Sequence, residues 1–221
     1  MLMAQGYVHI ADLPQVIPLF PIDGALLLPR GQLPLNVFEP RYLNMIDDVM
    51  AGDRIIGLIQ TFGGSRARPL MAPVGCAGRV TSYGETSDGR YLITLTGVIR
   101  FTTGEELPSR APYRQVKADY SAFEGDLTTP DESGPFEREA LLAALRAYLN
   151  RRQLDVDWET AAEAPEEALV NSLAMALPFE PGAKQALLEA ITLTDRTRTL
   201  TALLAIDAAS NDDDETPPSV Q

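Results

Sequence analysis

The sequence predicts an α+β protein in which a small β barrel or sandwich is followed by a small helical bundle. Three observations carry this. Residues 14–122 break into short apolar or alternating runs punctuated by Pro, Gly and Asp-Gly, as strands with turns between them do. Residues 135–208 change to apolar positions at helical spacing. The charge changes at the same place. Residues 1–122 hold eleven Lys/Arg and eleven Asp/Glu, whereas residues 123–221 hold seven and twenty, so all of the net −13 lies in the second part.

Taken in order, residues 1–13 form an N-terminal arm. Val16–Phe20, Ala25–Leu28 and Gln32–Val37 are apolar runs cut by Pro14, Pro21, Pro29 and Pro34. Proline removes ladder donors, so these strands are expected at edges or bulges. A helix begins at Glu39-Pro40-Arg41, since Pro suits the first helical position. Tyr42, Met45, Ile46 and Val49 repeat along it, and Gly52 ends it. Phe38 and Tyr42 are expected to pack beneath it. Arg54–Thr61 is a strand ended by Gly63-Gly64, and Thr61–Leu70 is a loop. Val74–Tyr83 and Tyr91–Arg100 flank Asp88-Gly89, a hairpin signal. Tyr113–Tyr120 alternates. Residues 123–134, rich in Thr, Asp, Pro and Gly, read as a linker. Helices follow over Phe136–Leu149, from Pro165 to Leu177, over Lys184–Ile191 and over Asp195–Ile206. Residues 209–221 form an acidic tail expected to be disordered.

Most catalytic chemistries lack their residues. The single cysteine, Cys76, cannot form an internal disulfide, and the chain is placed in a reducing cytoplasm. It reads as a small buried apolar residue. The single histidine, His9, is expected on the surface of a mobile N-terminus. There is no P-loop, no Gly-x-Gly-x-x-Gly and no Gly-x-Ser-x-Gly. A Ser-Lys dyad would need Lys117, placed on a polar strand face, or Lys184, placed on an exposed helix turn. Asp47-Asp48, Glu105-Glu106 and Glu166-Glu167 are adjacent carboxylates whose side chains diverge, so they read as solvated surface. No run approaches the ~20 apolar residues of a membrane span. The lack of a basic stripe argues against nucleic acid. No catalytic residue, metal site or cofactor is therefore expected.

One set of motifs is specific: Ile17-Pro18-Leu19-Phe20-Pro21, Leu28-Pro29-Arg30-Gly31, and Leu33-Pro34-Leu35-Asn36-Val37-Phe38-Glu39-Pro40-Arg41-Tyr42. Val74-Gly75-Cys76-Ala77-Gly78-Arg79-Val80, Asp88-Gly89-Arg90-Tyr91, Gly97-x-x-Arg100-Phe101, Leu177-Pro178 and Lys184-Gln185-Ala186-Leu187-Leu188-Glu189 follow in order. Together they resemble the Lon protease N-terminal, or substrate-binding, domain over about residues 14–207. The resemblance implies a PUA-like β pseudo-barrel over residues 14–122 and a helical subdomain over residues 135–208. It implies a stand-alone copy without the ATPase and peptidase domains, hence no enzymatic activity.

The expected function is non-enzymatic recognition of unfolded or tagged polypeptides in bacterial protein quality control or proteolysis. A Lon-type protease, or a second copy of the chain, would be a further partner. The candidate binding residues are Leu19, Leu27, Leu28, Thr61, Phe62, Arg66, Arg68 and Leu70, from the proline-broken strands and the Gly-rich loop. Two other readings remain open: an RNA-binding module, as PUA-like folds often are, and an assembly or scaffold partner of another protein.

Overall fold

A computed structural model describes residues 6–65, 68–128, 136–154 and 156–209; the side chain of Arg68 lies outside the description. Arg66, residues 129–134 of the expected linker, residue 135 and residues 210–221 of the expected tail therefore lie outside it.

Eight strands form: β1 (Val16–Pro21), β2 (Gln32–Val37), β3 (Ile55–Ile59), β4 (Thr61–Ser65), β5 (Arg68–Met71), β6 (Val74–Glu85), β7 (Tyr91–Glu106) and β8 (Gln115–Asp119). The main sheet runs β2-β7-β6-β3-β1-β8, and β8 pairs back onto β7. Five strands therefore close a barrel, with β2 attached outside the ring. All described pairings in it are antiparallel except β1 with β3. The closure depends on the length of β7. Tyr91–Thr96 pairs with β2, and Thr102–Glu106 pairs with β8. Between these registers sits Gly97, which exchanges hydrogen bonds with the Arg30–Gly31 backbone (2.8 and 2.9 Å). A Cβ at Gly97 would collide with the Leu28 carbonyl.

The proline rule holds for β2 and fails for β1. β2, carrying Pro34, has β7 as its single neighbour. β1 lies between β8 and β3. It pairs with β8 over Val16–Pro18 and with β3 over Leu19–Pro21, so each proline closes one register rather than interrupting it. The run Ala25–Leu28 is not a strand. Leu26, Leu27 and Leu28 are each 2% exposed or less, pressed between barrel and helices.

The helices are α1 (Pro40–Met50), α2 (Arg138–Arg151), α3 (Trp158–Glu163), α4 (Glu166–Ala176), α5 (Pro181–Glu189) and α6 (Leu193–Ala209). α1 has Pro at its first position and buries Tyr42, Met45, Ile46 and Val49, with Tyr42 against Phe20 (ring centroids 4.5 Å apart). Phe38, however, is 62% exposed and does not pack beneath α1. Short α3 is absent from the sequence reading. Asp157 caps it, accepting the Glu159 and Thr160 amides.

The described parts of the arm and the linker are also more ordered than their composition suggests. Tyr7, Ile10 and Leu13 pack against the barrel core. Residues Ser121–Leu127 form a 3-10 segment whose Phe123, Asp126 and Leu127 are buried, so this stretch of the expected linker belongs to the packed body. One apolar cluster fills the barrel interior, around Ile17, Leu19, Ile99, Phe101 and Val116. A second runs from the other face of β1, β3 and β6, through Leu26–Leu28, into α2, α4, α5 and α6. Barrel and bundle thus share a core.

Polar groups fasten the same seam. Lys184 is 6% exposed rather than solvated, and its Nζ donates to the Gly24 carbonyl (2.7 Å). Asn171 Nδ2 donates to the Pro29 carbonyl (3.2 Å). Arg30 forks onto Glu167 (2.7 and 2.5 Å), and Arg100 forks onto Asp126 (2.9 and 2.8 Å). The adjacent carboxylates are likewise engaged. Glu167 holds Arg30, Glu106 holds Arg114, Asp47 accepts from Tyr91 and Asp48 from Tyr113. They do diverge, but several are structural partners rather than bare surface.

Candidate polypeptide-binding surface

The structure divides the expected binding residues sharply. Leu19, Leu27 and Leu28 are 0%, 1% and 0% exposed. They are core: Leu19 lies in the barrel interior and Leu27 and Leu28 between barrel and helices, so a client cannot reach them without unfolding. Arg66 lies outside the described residues, and of Arg68 only the backbone, paired with Ser65, is placed. Thr61, Phe62 and Leu70 lie on β4 and β5, which form a separate two-stranded hairpin rather than a loop.

That hairpin is held at its base. Thr61 Oγ1 donates to Asp23 Oδ1, the Ala72 amide donates to the Gln60 carbonyl (2.9 Å), and Arg114 Nη1 donates to the Pro69 carbonyl (2.8 Å). Arg114 is itself fixed by a bidentate pair with Glu106 (2.8 and 2.7 Å). Gly63 and Gly64, at φ +75° and +81°, take the left-handed backbone that lets β4 change register against β5. Beyond this base, Phe62 and Leu70 are 58% and 55% exposed.

A second apolar face comes from residues absent from the expected set. Cross-strand register puts Asn36 opposite Leu92 and Pro34 opposite Thr94. Side chains alternate along a strand, so Gln32, Pro34 and Asn36 share the outer face of the sheet with Leu92 and Thr94. Phe38, just past β2, continues that row. Its ring lies 6.0 Å from the Arg90 guanidinium, at the start of β7. Leu92 is 49% exposed. The outer edge of β2 carries no strand partner among the described residues. At the tip of the β6–β7 hairpin, Tyr83 stacks edgewise on Tyr91 (5.1 Å). Tyr91 donates to Asp47 Oδ1 (2.9 Å), which ties the tip to α1 and holds the Tyr91 hydroxyl well above its ordinary pKa.

Phe38 was legible in principle. It falls in step with the polar positions Gln32 and Asn36, not with Leu33, Leu35 and Val37, and the exposed strand positions are the former.

What the arrangement can do is bind: an unpaired strand edge offers backbone donors and acceptors beside apolar side chains. The groups that could carry covalent chemistry are placed otherwise. The Cys76 thiol is buried, and burial pushes its pKa up. Burial lowers the pKa of Lys184, whose amine is engaged at Gly24. Among the described residues no three His, Cys, Asp or Glu side chains are grouped to hold a metal, and no helix is long and apolar enough to cross a membrane.

The fold is that of Lon N-terminal domains. It is similar to the Lon N-terminal domain protein from Xanthomonas campestris, with a TM-score of 0.59 at 24% identity over 86% of this chain and 97% of that one. It is also similar to the N-terminal domain of the Mycobacterium avium complex Lon protease, with a TM-score of 0.61 at 18% identity over 86% and 98%. The family model for the ATP-dependent protease La (LON) substrate-binding domain matches residues 16–205, and the chain belongs to that family. Its curated relatives include Lon protease 2 of Myxococcus xanthus, 28% identical over 90% of this chain and 24% of that protein. Lon protease of Syntrophus aciditrophicus is 25% identical over 88% and 25%. The chain spans about a quarter of the length of these relatives, and what it matches is the substrate-binding domain.

Proposed function

We propose that this chain is a non-enzymatic polypeptide-recognition module that holds unfolded or tagged segments for a Lon-type protease in cytoplasmic protein quality control. The observation that carries the reading is the exposed row Phe38–Leu92 beside the edge of β2 that has no strand partner among the described residues. An extended client can add as a strand there, with Phe38 and Leu92 taking its alternate side chains. The hairpin residues Phe62 and Leu70 supply a second apolar contact. The family match supports the substrate class.

Magnitude sets the affinity. Burying roughly 300 Å² of apolar surface at ~25 cal/mol/Å² contributes about 7.5 kcal/mol, against an association cost of ~4–15 kcal/mol. Binding is therefore reversible and no tighter than about micromolar. Useful retention then depends on tethering or avidity.

Fluorescence anisotropy with a labelled, reduced unfolded protein, its folded form and the Phe38→Ser variant tests this. The expected result is binding of the unfolded form alone, without ATP and without cleavage, weakened at least fivefold by Phe38→Ser. Equal affinity for folded and unfolded forms, or no binding at 100 μM protein, overturns it.

A further inference from the structure

A cleft of about 430 Å³ opens where the 3-10 segment, α4 and the start of α6 meet. Three arginines line it: Arg30, Arg100 and Arg196. Two carboxylates accompany them, and both are already committed. Glu167 is forked by Arg30, and Asp126 is forked by Arg100, with its Oδ2 also accepting the Arg100 amide (3.0 Å).

Arg100 is fully occupied, since its remaining N–H groups go to the carbonyls of Leu188, Ala190 and Ile191. Arg196 is different. It is 3% exposed, and it donates Nε to the Leu187 carbonyl (3.1 Å) and Nη1 to Asn171 Oδ1 (2.9 Å), both neutral. Its Nη2 has no acceptor and its charge no paired carboxylate among the described residues. Burial, and then the Arg100 charge, pull its pKa down to about 10. Asp126 and Glu167 offset this only from a distance, and a buried cation without a directly paired counter-ion is unfavourable unless something supplies the charge.

The start of α6 faces the same space, because Ile191, Thr192, Leu193 and Thr194 also line the cleft. Thr192 caps the helix, its Oγ1 accepting the Asp195 amide (3.0 Å) and its carbonyl the Arg196 amide (3.1 Å). Asp195 Oδ2 is turned to Thr192 Oγ1 (2.6 Å) and Asp195 is not among the lining residues. The Leu193 and Thr194 amides have no acceptor among the described residues. The site thus offers the uncommitted Nη2 of Arg196, two backbone N–H groups without an acceptor among the described residues and the positive end of a 17-residue helix.

We infer that this cleft binds a carboxylate, seated between the Arg196 guanidinium and the Leu193–Thr194 amides. One surplus positive charge among the lining groups matches a monoanion, whereas a phosphate dianion would leave negative charge buried beside Glu167 and Asp126. The carboxylate could belong to a free small acid or to the end of a bound chain. The inference does not depend on the reading of the Phe38 face.

The test compares sodium acetate with sodium chloride at matched ionic strength and pH 7, by thermal midpoint and by amide NMR. Acetate is expected to raise the midpoint saturably, with a millimolar Kd and shifts concentrated at Leu193–Arg196. Arg196→Gln should weaken acetate at least tenfold. Should that variant fail to fold, Thr194→Glu decides. Its tethered carboxylate should fill the cleft, raise the midpoint and abolish the response to acetate. A wild-type midpoint and spectrum indifferent to acetate, or a Thr194→Glu protein that responds as before, overturns the inference. A short peptide acid and its C-terminal amide then identify the source: chain-end recognition requires the acid to bind at least tenfold tighter than acetate and the amide not to bind. Equal affinity for peptide acid and acetate assigns the cleft to small acids.

Discussion

The seam at residues 24–31 and the outer face that β2, next in the chain, forms with β7 treat apolar side chains in opposite ways. In the seam Leu26, Leu27 and Leu28 are enclosed, and the neighbouring polar groups are taken up by Lys184, Asn171 and Glu167. On the face, Phe38 and Leu92 stand open beside an unpaired edge. Hydrophobicity alone does not distinguish the two sets. The difference is whether a second layer covers the segment. The helical bundle covers the seam, and among the described residues no strand pairs with the outer edge of β2.

Breaking the seam should have the largest effect. Asp126→Ala leaves Arg100 buried without its carboxylate, which costs ~3–5 kcal/mol, a large share of a typical ~5–15 kcal/mol stability. Urea denaturation should show it; a change under ~1 kcal/mol would mean that Arg100 stays compensated. Leu27→Ala should cost ~2–5 kcal/mol. It should leave client affinity unchanged in whatever fraction remains folded, which would separate core from surface. A smaller effect is expected in alkali. Burial, helped by the hydrogen bond to Asp48, pushes the Tyr113 hydroxyl up to about 12 from its usual 10. Its protonated form is favoured in the folded state, so that contribution is present below pH 10 and is lost as pH rises towards 12. Tyr113→Phe should flatten the stability curve over that interval. The smallest change in stability belongs to the face. Phe38→Ala should move the thermal midpoint by less than ~2 °C, because exposed substitutions usually cost under ~0.5 kcal/mol. The same variant should lose most client binding. A large drop in midpoint would make Phe38 a packing residue after all.

The α+β class, most of the strands and helices, and the start of α1 were readable because local rules decide them: Pro40 at a helix start, Asp88-Gly89 in a hairpin, and apolar spacing at Tyr42, Met45, Ile46 and Val49. What was not readable depends on contacts distant in sequence. Ala25–Leu28 carries a strand's composition but no strand lies beside it. Pro18 sits inside the ring because β1 changes partner there. Lys184 is buried because the Gly24 carbonyl, 160 positions away in the chain, accepts a hydrogen bond from its amine. The binding residues suffered most, since an apolar run that looks sticky is more often the one already in use. Phe38 shows the converse: its in-step position with polar neighbours was the visible signal.

The length of β7 carries a consequence for motion. A single strand of 16 residues is hydrogen-bonded to β2, β6 and β8 in turn. No excursion can free its middle without undoing the ring closure and the β2 attachment together. Amides from Ile93 to Phe101 should therefore exchange with heavy water only through global unfolding, whereas those of the β4–β5 hairpin exchange through local opening. Opening of the described strands of that hairpin would then leave the ring closed.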